Sequence, residues 1–164
     1  MQEIHLTCTF QSYESADDLP ASDRDLLNEA SRAAANAYAP YSQFHVGAAL
    51  RLKSGKIVNG NNQENVAYPS GLCAERVALF FASANWPGDH VEALAITAKT
   101  NNFEITDPVT PCGSCRQVMA ETEKKQDKNI RIIMKGEKDK VYVTESAACL
   151  LPLMFKADEL KMRQ

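Results

Sequence analysis

The chain has 164 residues, with 18 Lys and Arg against 21 Asp and Glu and a formal net charge of −3. A hydrophobic share of 45% with 24% charged residues is ordinary globular composition; it excludes disorder and suits a single domain with one core. The acidic balance excludes a dedicated nucleic-acid binder, and five cysteines are too few, and odd in number, for a disulfide scaffold.

In chain order, residues 4–10 alternate, with Ile4, Leu6, Cys8 and Phe10 on one side. That predicts a half-buried strand at a sheet edge. No secretory leader is visible in the first ten residues. The stretch 13–22 is acidic and turn-rich. A helix is predicted over 22–38, with Ser22 as N-cap and Asp23 and Asp25 in the first turn, where the helix dipole favours anions. Leu26, Ala30, Ala33 and Ala37 form its apolar stripe, and Pro40 stops it. A strand at 46–52 and its partner at 57–60 read as a hairpin. The small residues Gly47, Ala48 and Ala49 would let another element pack very close to that strand. After a polar loop at 61–71, a helix over 72–85 is apolar nearly all round and is expected to be central and buried. An interior strand follows at 91–98, then a loop at 101–110, a short helix at 113–124, and strands at 130–134 and 141–144. A last helical stretch begins at Ser146, is broken at Pro152 and resumes from Asp158. No apolar run is long enough to cross a bilayer.

There is no internal repeat or linker, so residues 1–21 read as an N-terminal extension and 22–164 as a single domain. Strands separated by helices imply an α/β domain with helices on both faces of one sheet, made mixed by the leading hairpin. A cytoplasmic, reducing setting is the default, and there clustered cysteines serve as metal ligands or catalysts more often than as disulfides.

The chemistry concentrates in three cysteines. Cys112 and Cys115 form a Cys-x-x-Cys after Pro111, which alone fits a redox dithiol, half a zinc site or two structural cysteines. Cys73 opens a second predicted helix in Cys73-Ala74-Glu75. Thiols at two helix N-termini have free N–H groups and the dipole to stabilise thiolates. Zinc favours sulfur and four-coordination, so three protein ligands leave one position for water, the mark of a catalytic site. Cys8, Cys149, His5, His45 and His90 are the other candidate ligands, and none lies at ligand spacing from the three. Glu75 can approach a metal at the helix tip and take a proton from its water.

The chain resembles the small homotetrameric cytidine deaminases. The matching residues are 44–50 (FHVGAAL), Asn62-Gln63-Glu64-Asn65 with Tyr68, Cys73-Ala74-Glu75-Arg76 and 111–117 (PCGSCRQ), with Leu150-Leu151-Pro152 and Phe155 near the end. They span about residues 22 to 160 in the family's order. The resemblance implies a three-layer α/β/α fold with a mixed, mostly parallel sheet of about five strands. It implies one Zn²⁺ per subunit on Cys73, Cys112 and Cys115, with Glu75 as the catalytic proton carrier. It further implies that Asn62 and Glu64 bind ribose hydroxyls, that Phe44 walls the pocket, and that the Ala74 backbone reads the pyrimidine edge. Phe155 is implied to close a neighbouring subunit's pocket and Tyr68 to line one, giving a homotetramer with shared active sites. Arg76 and Arg116 each follow a zinc cysteine. Three thiolates outweigh Zn²⁺ by one charge, and hydrogen bonds from these arginines to the sulfurs would offset it.

The expected activity is hydrolytic deamination of cytidine and 2′-deoxycytidine, with a free nucleoside as partner and no nucleic acid or membrane. Deaminases of blasticidin S resemble the same cysteine motifs but are not expected to share the Asn62-x-Glu64-Asn65 segment. Polynucleotide deaminases usually carry His-x-Glu where this chain has Cys73-Ala74-Glu75, and they need a basic channel. A non-enzymatic zinc domain predicts a closed site with a fourth protein ligand. A thioredoxin-like dithiol leaves Cys73 and Glu75 unexplained. The loop at 100–110 is long for its place and is expected to shape the pocket rim.

Overall fold

A computed structural model describes residues 1–156. Six strands form one sheet: β1 (Gln11–Tyr13), β2 (His45–Leu52), β3 (Ile57–Asn61), β4 (Val91–Lys99), β5 (Arg131–Lys135) and β6 (Val141–Thr144). Their order across the sheet is β1-β6-β5-β4-β2-β3. Helix α1 (Ala21–Ala34) packs on one face, and α2 (Ala74–Asn85) and α3 (Gly113–Gln126) on the other. The α/β architecture with helices on both faces is therefore as the sequence implies.

The two-residue period of the strands sorts the core into two layers. Leu50 and Leu52 of β2, Leu94 and Ile96 of β4, and Ile132 and Met134 of β5 face α2 and α3. Ala49, Ala93, Ala95 and Ile133 face Leu26, Leu27 and Ala30 of α1. Small side chains on that second face bring α1 close. A Cβ at Gly47 would lie 1.9 Å from the Ala30 carbonyl oxygen and 2.5 Å from the Ala34 nitrogen. Gly60 on β3 does the same for α2, where a Cβ would lie 2.5 Å from the Ala74 oxygen and 2.7 Å from the Ala78 nitrogen. That contact seats the first turn of α2 directly on the sheet.

Two buried carboxylates fasten the layers. Asp23 in α1 accepts a 2.7 Å hydrogen bond from Arg131 Nε of β5 and lies 3.8 Å from Arg51 Nη2 of β2. Glu123 in α3 accepts from the backbone N–H groups of Ile130 and Ala147, both at 2.7 Å, and from Ser146 Oγ at 2.9 Å. It thereby ties a short 3₁₀ turn, Ala147–Leu150, to α3. Without these donors each carboxylate would be a costly buried charge.

Several expectations are corrected. The sheet is not mostly parallel: only β4 and β5 pair in parallel, and every other neighbouring pair is antiparallel. A parallel pair needs a long crossover, and only α3 links two adjacent strands that way. The α2 crossover carries the chain from β3 past β2, so β4 runs parallel to β3 but is bonded to antiparallel β2. The sixth strand is β1, a short edge strand antiparallel to β6. Residues 4–10 form no strand, and Ile4, Leu6 and Phe10 are exposed. Alternation there has no neighbouring strand to pair with. Pairing starts at Gln11, just after Thr144 Oγ1 donates to the Thr9 carbonyl at 3.0 Å.

Helix α1 begins after Pro20 rather than on a Ser22 cap, and it ends at Ala34, before Tyr38. Helix α2 is not buried all round: Ala74, Glu75, Ala78, Leu79 and Ala82 face inward, while Phe80 and Phe81 are exposed. The final helical stretch is the Ala147–Leu150 turn, and its continuation from Asp158 lies outside the described residues. Among the described residues no helix is long and apolar enough to cross a membrane.

Replacing Gly47 with Ala drives a methyl group into the α1 backbone, which neither element can yield cheaply. Gly47→Ala is expected to lower the unfolding free energy by about 3 kcal/mol, read as a lower urea midpoint at unchanged m-value.

Candidate active site

The site forms where α2 and α3 begin side by side. Cys73 is the N-cap of α2 and Cys112 the N-cap of α3, with Cys115 in the first turn of α3. Neither cap side chain accepts a capping hydrogen bond from its helix's first N–H groups, so the free N–H groups and dipoles of two helices converge on the thiols. Cys73 Sγ lies 3.8 Å from Cys112 Sγ, which lies 3.5 Å from Cys115 Sγ. The three sulfurs fall within 4.8 Å of one another. Tetrahedral zinc with Zn–S near 2.3 Å places its sulfurs about 3.8 Å apart. The cluster therefore has the spacing of three ligands of one ion, and the soft donor set suits zinc.

The thiols are also electrostatically unequal. The hydrogen bond from Cys115 is the main reason the Cys73 thiol is lowered to about 5, with Arg76 and Cys112 adding to it. The same bond pushes the Cys115 thiol well up, and burial and the nearby Glu75 push it further. One thiolate held by a neighbour that keeps its proton is a site in which a divalent ion displaces protons as it binds. The metal-ligating group found among the described residues is Cys73, Cys112 and Cys115. None of Cys8, Cys149, His5, His45 or His90 joins it. With no fourth protein ligand there among the described residues, a tetrahedral ion would keep one coordination position for a small molecule, which disfavours the closed structural site. The participation of Cys73 disfavours a simple dithiol.

Glu75, in the first turn of α2, is 3% exposed. Burial is the main cause raising its carboxyl above the ordinary range, and the negative charge on Cys73 adds to it. A carboxyl so placed holds a proton more readily than a surface glutamate does. Glu75 also lines a cavity of about 900 Å³ that reaches Cys73 and Cys112. The buried acid, the thiols and the cavity thus share one space.

The flanking arginines differ. Arg76 points Nη2 at Cys73 Sγ at 3.6 Å, as expected, while its buried Nε has no partner. Arg116 does not reach a sulfur. It donates through Nε to the Pro111 carbonyl at 2.7 Å and through Nη1 to the Leu150 carbonyl at 3.0 Å. It therefore clamps the backbone just before Cys112 to the C-terminal turn, because α3 turns its side chain toward that turn and away from the thiols.

Phe44, Asn62 and Glu64 line the same cavity, and so does Tyr68, which the resemblance had implied for a neighbouring subunit's pocket. Asn62 accepts from Val46 N at 2.8 Å and donates to the Phe44 carbonyl at 2.9 Å. One amide hydrogen and one lone pair remain for a ligand. Glu64 accepts from Tyr41 N at 2.8 Å, Ser42 N at 3.3 Å and Ser42 Oγ at 2.5 Å. Partial desolvation acts to raise the Glu64 carboxyl, but these three donors outweigh it and hold the group below its ordinary range, so it stays ionised. Tyr68 packs edge-on against Tyr41, with centroids 6.3 Å apart. Ala74 is fully buried at the start of α2. Phe155 is absent from this cavity: its ring is exposed, and its backbone is bracketed by the Gln117 amide at 3.1 and 3.3 Å. Tyr41, Ser42 and Phe103 also line the cavity without having been singled out in the sequence. For Phe103 the one signal was the length of the 100–110 loop; Tyr41 and Ser42 carried none.

Three sulfurs spaced for one ion beside a buried carboxylate are the arrangement of a hydrolytic metal centre more than of a structural one. Residues 20–129 match the family model described as the cytidine and deoxycytidylate deaminase zinc-binding region. The chain belongs to that family. It is 42% identical over 135 residues to a cytidine deaminase of Halalkalibacterium halodurans, covering 82% of this chain and 95% of that one. Among solved structures, a cytidine deaminase from Burkholderia pseudomallei is 41% identical with a TM-score of 0.69, covering 80% of this chain and 97% of that one. A cytidine deaminase from Mycobacterium tuberculosis is 31% identical with a TM-score of 0.61, covering 81% and 96%.

Removing one sulfur should empty the centre. Cys112→Ser is expected to fall from about one zinc per chain to well below that by elemental analysis. Its thermal midpoint should drop as well, because metal binding and folding are coupled.

Proposed function

We propose that this chain deaminates cytidine and 2′-deoxycytidine hydrolytically, consuming water and releasing ammonia with uridine or 2′-deoxyuridine. The observation that carries this reading is the buried Glu75 carboxyl at the mouth of a three-sulfur cluster, in one cavity with Asn62 and Glu64. A zinc ion bound by Cys73, Cys112 and Cys115 would supply Lewis acidity, lowering the pKa of water at C4 of the pyrimidine.

The rest falls to the chain's own groups. Glu75 takes a proton from the water and delivers it to ring N3, which makes C4 electrophilic. The water oxygen bonds to C4; Glu75 then takes the remaining hydroxyl proton and delivers it to the exocyclic amine, whose bond to C4 breaks as the C4 carbonyl forms and ammonia leaves. Burial makes Glu75 hold a proton more readily than a surface glutamate does, which suits a group that takes and delivers protons. The ionised Glu64 and the free half of the Asn62 amide accept and donate to sugar hydroxyls. Phe44 packs against the flat part of the substrate, and the backbone of Ala74 and of 110–111 meets the amide edge of the ring. Arg76 draws charge from Cys73 through its hydrogen bond and so preserves the acidity of the ion. Arg116 acts as the clamp on Pro111. The cavity's charged lining consists of Glu64, Glu75 and Arg76, which favours an uncharged nucleoside over a polyanion.

The finer reading extends to assembly and location. A homotetramer with shared sites is supported by the exposed Phe80 and Phe81 on α2 and by the exposed Phe155, which does not line the site cavity of its own chain. Five free cysteines, three of them suited to a metal, favour the reducing cytoplasm.

Glu75→Gln is expected to retain zinc while losing about 10²-fold or more in turnover, followed as loss of the near-ultraviolet cytidine band. Near-normal turnover in that variant would remove Glu75 from the mechanism. Light scattering is expected to give four chains per particle, and a fully active monomer would refute shared sites.

A further inference from the structure

We propose that Phe103, on the loop between β4 and α3, is a substrate-binding wall of this site, and that Glu137 is the residue that positions it, an inference that rests on the deaminase reading above. The Phe103 ring stacks on Phe44 with centroids 6.1 Å apart and planes 16° apart. It is 58% exposed, which is not the state of a core aromatic, and it borders the cavity. A large apolar ring left half in water beside a binding cavity has most to gain when a ligand covers it.

The segment 100–105 of the loop, which presents Phe103, is held at both ends by one carboxylate. Glu137 Oε1 accepts from Thr100 N at 3.3 Å, and Oε2 accepts from Ile105 N at 3.2 Å. The Glu137 N–H in turn donates to the Ile105 carbonyl at 3.3 Å. Lys138 pairs with Glu104 on the same loop. Gly136 permits the approach, since a Cβ there would lie 2.5 Å from the Asp107 oxygen. Phe103 sits midway between the two amides that Glu137 holds.

The same loop reaches the sugar side of the pocket. Asn102 Nδ2 donates to the Ser42 carbonyl at 3.3 Å, and Ser42 in turn donates twice to Glu64. A connected path thus runs from Glu137 through the loop to both an aromatic wall and an acidic acceptor. Phe103 has no group that moves a proton, so its part is binding and orientation rather than chemistry. The ligand class that fits is a flat, uncharged heterocycle bearing hydroxyls.

The test uses the full zinc-loaded chain with cytidine as substrate and uridine as inhibitor. Phe103→Ala is expected to raise KM and the uridine inhibition constant together, by about two- to tenfold, with kcat within about twofold. Its melting temperature should hardly move, because the ring is exposed. Glu137→Ala should reproduce the KM increase, and Glu137→Gln, which keeps one acceptor oxygen, should fall between it and the wild type. Unchanged KM and uridine inhibition in Phe103→Ala overturn the proposal, as does a fall in kcat at constant KM. Loss of stability at constant KM in both Glu137 variants marks that residue as structural and overturns its part. A zinc-loaded wild type that binds neither nucleoside overturns the deaminase reading, and this proposal with it.

Discussion

Everything in this molecule depends on bringing three thiols to one point at the tips of two helices. Thiolates repel one another, so the cluster needs positive potential before any metal adds to it. The N-termini of α2 and α3 supply part of that potential, and the Arg76 guanidinium supplies more at 3.6 Å from Cys73. The same geometry sets Glu75 in the first turn of α2, buried and disposed to hold a proton. One thiol of the cluster and the buried carboxyl beside it thus arise from a single helix start.

Holding two helix tips together requires that the helices lie flat on a common sheet. Gly60 allows α2 to touch β3 backbone to backbone, and Gly47 allows α1 the same intimacy on the opposite face. These contacts leave little freedom for helix rotation, and rotation is the motion that would separate Cys73 from Cys112. Glu123 and Arg116 complete the support from the C-terminal side. The first pins the Ala147–Leu150 turn to α3, and the second ties that turn to Pro111. The metal-binding helix is therefore braced at both ends by charged groups acting on backbone.

The pocket is built differently from the metal centre. Its walls come from loops, and their order depends on side chains that bond to backbone: Asn62 on Phe44 and Val46, Glu64 on Tyr41 and Ser42, Glu137 on Thr100 and Ile105. Loops fixed in this way can vary in length while the sheet and the cysteines stay in place, which separates recognition from chemistry.

The metal centre was legible in the sequence because its signal is local. Cys73-Ala74-Glu75 and Cys112-Gly113-Ser114-Cys115 each sit at a helix start, and helix geometry alone places their groups at the tip. The Gly47-Ala48-Ala49 run likewise announced a close-packed strand, because the absence of side chains is itself the message. Strand direction was not legible, since whether β4 pairs with β2 or β3 is decided by how α2 crosses the sheet. Residues 4–10 alternate like a strand, yet an edge strand exists only where a partner's N–H and C=O groups are available, and that began at Gln11. Arg116 and Phe103 make the same point for the site. Residue type and spacing determined which groups can bind a metal and which carboxyl starts the helix beside them. Which guanidinium meets a sulfur, and which aromatic faces the cavity, was decided by packing between segments distant in sequence, and no local pattern encodes that.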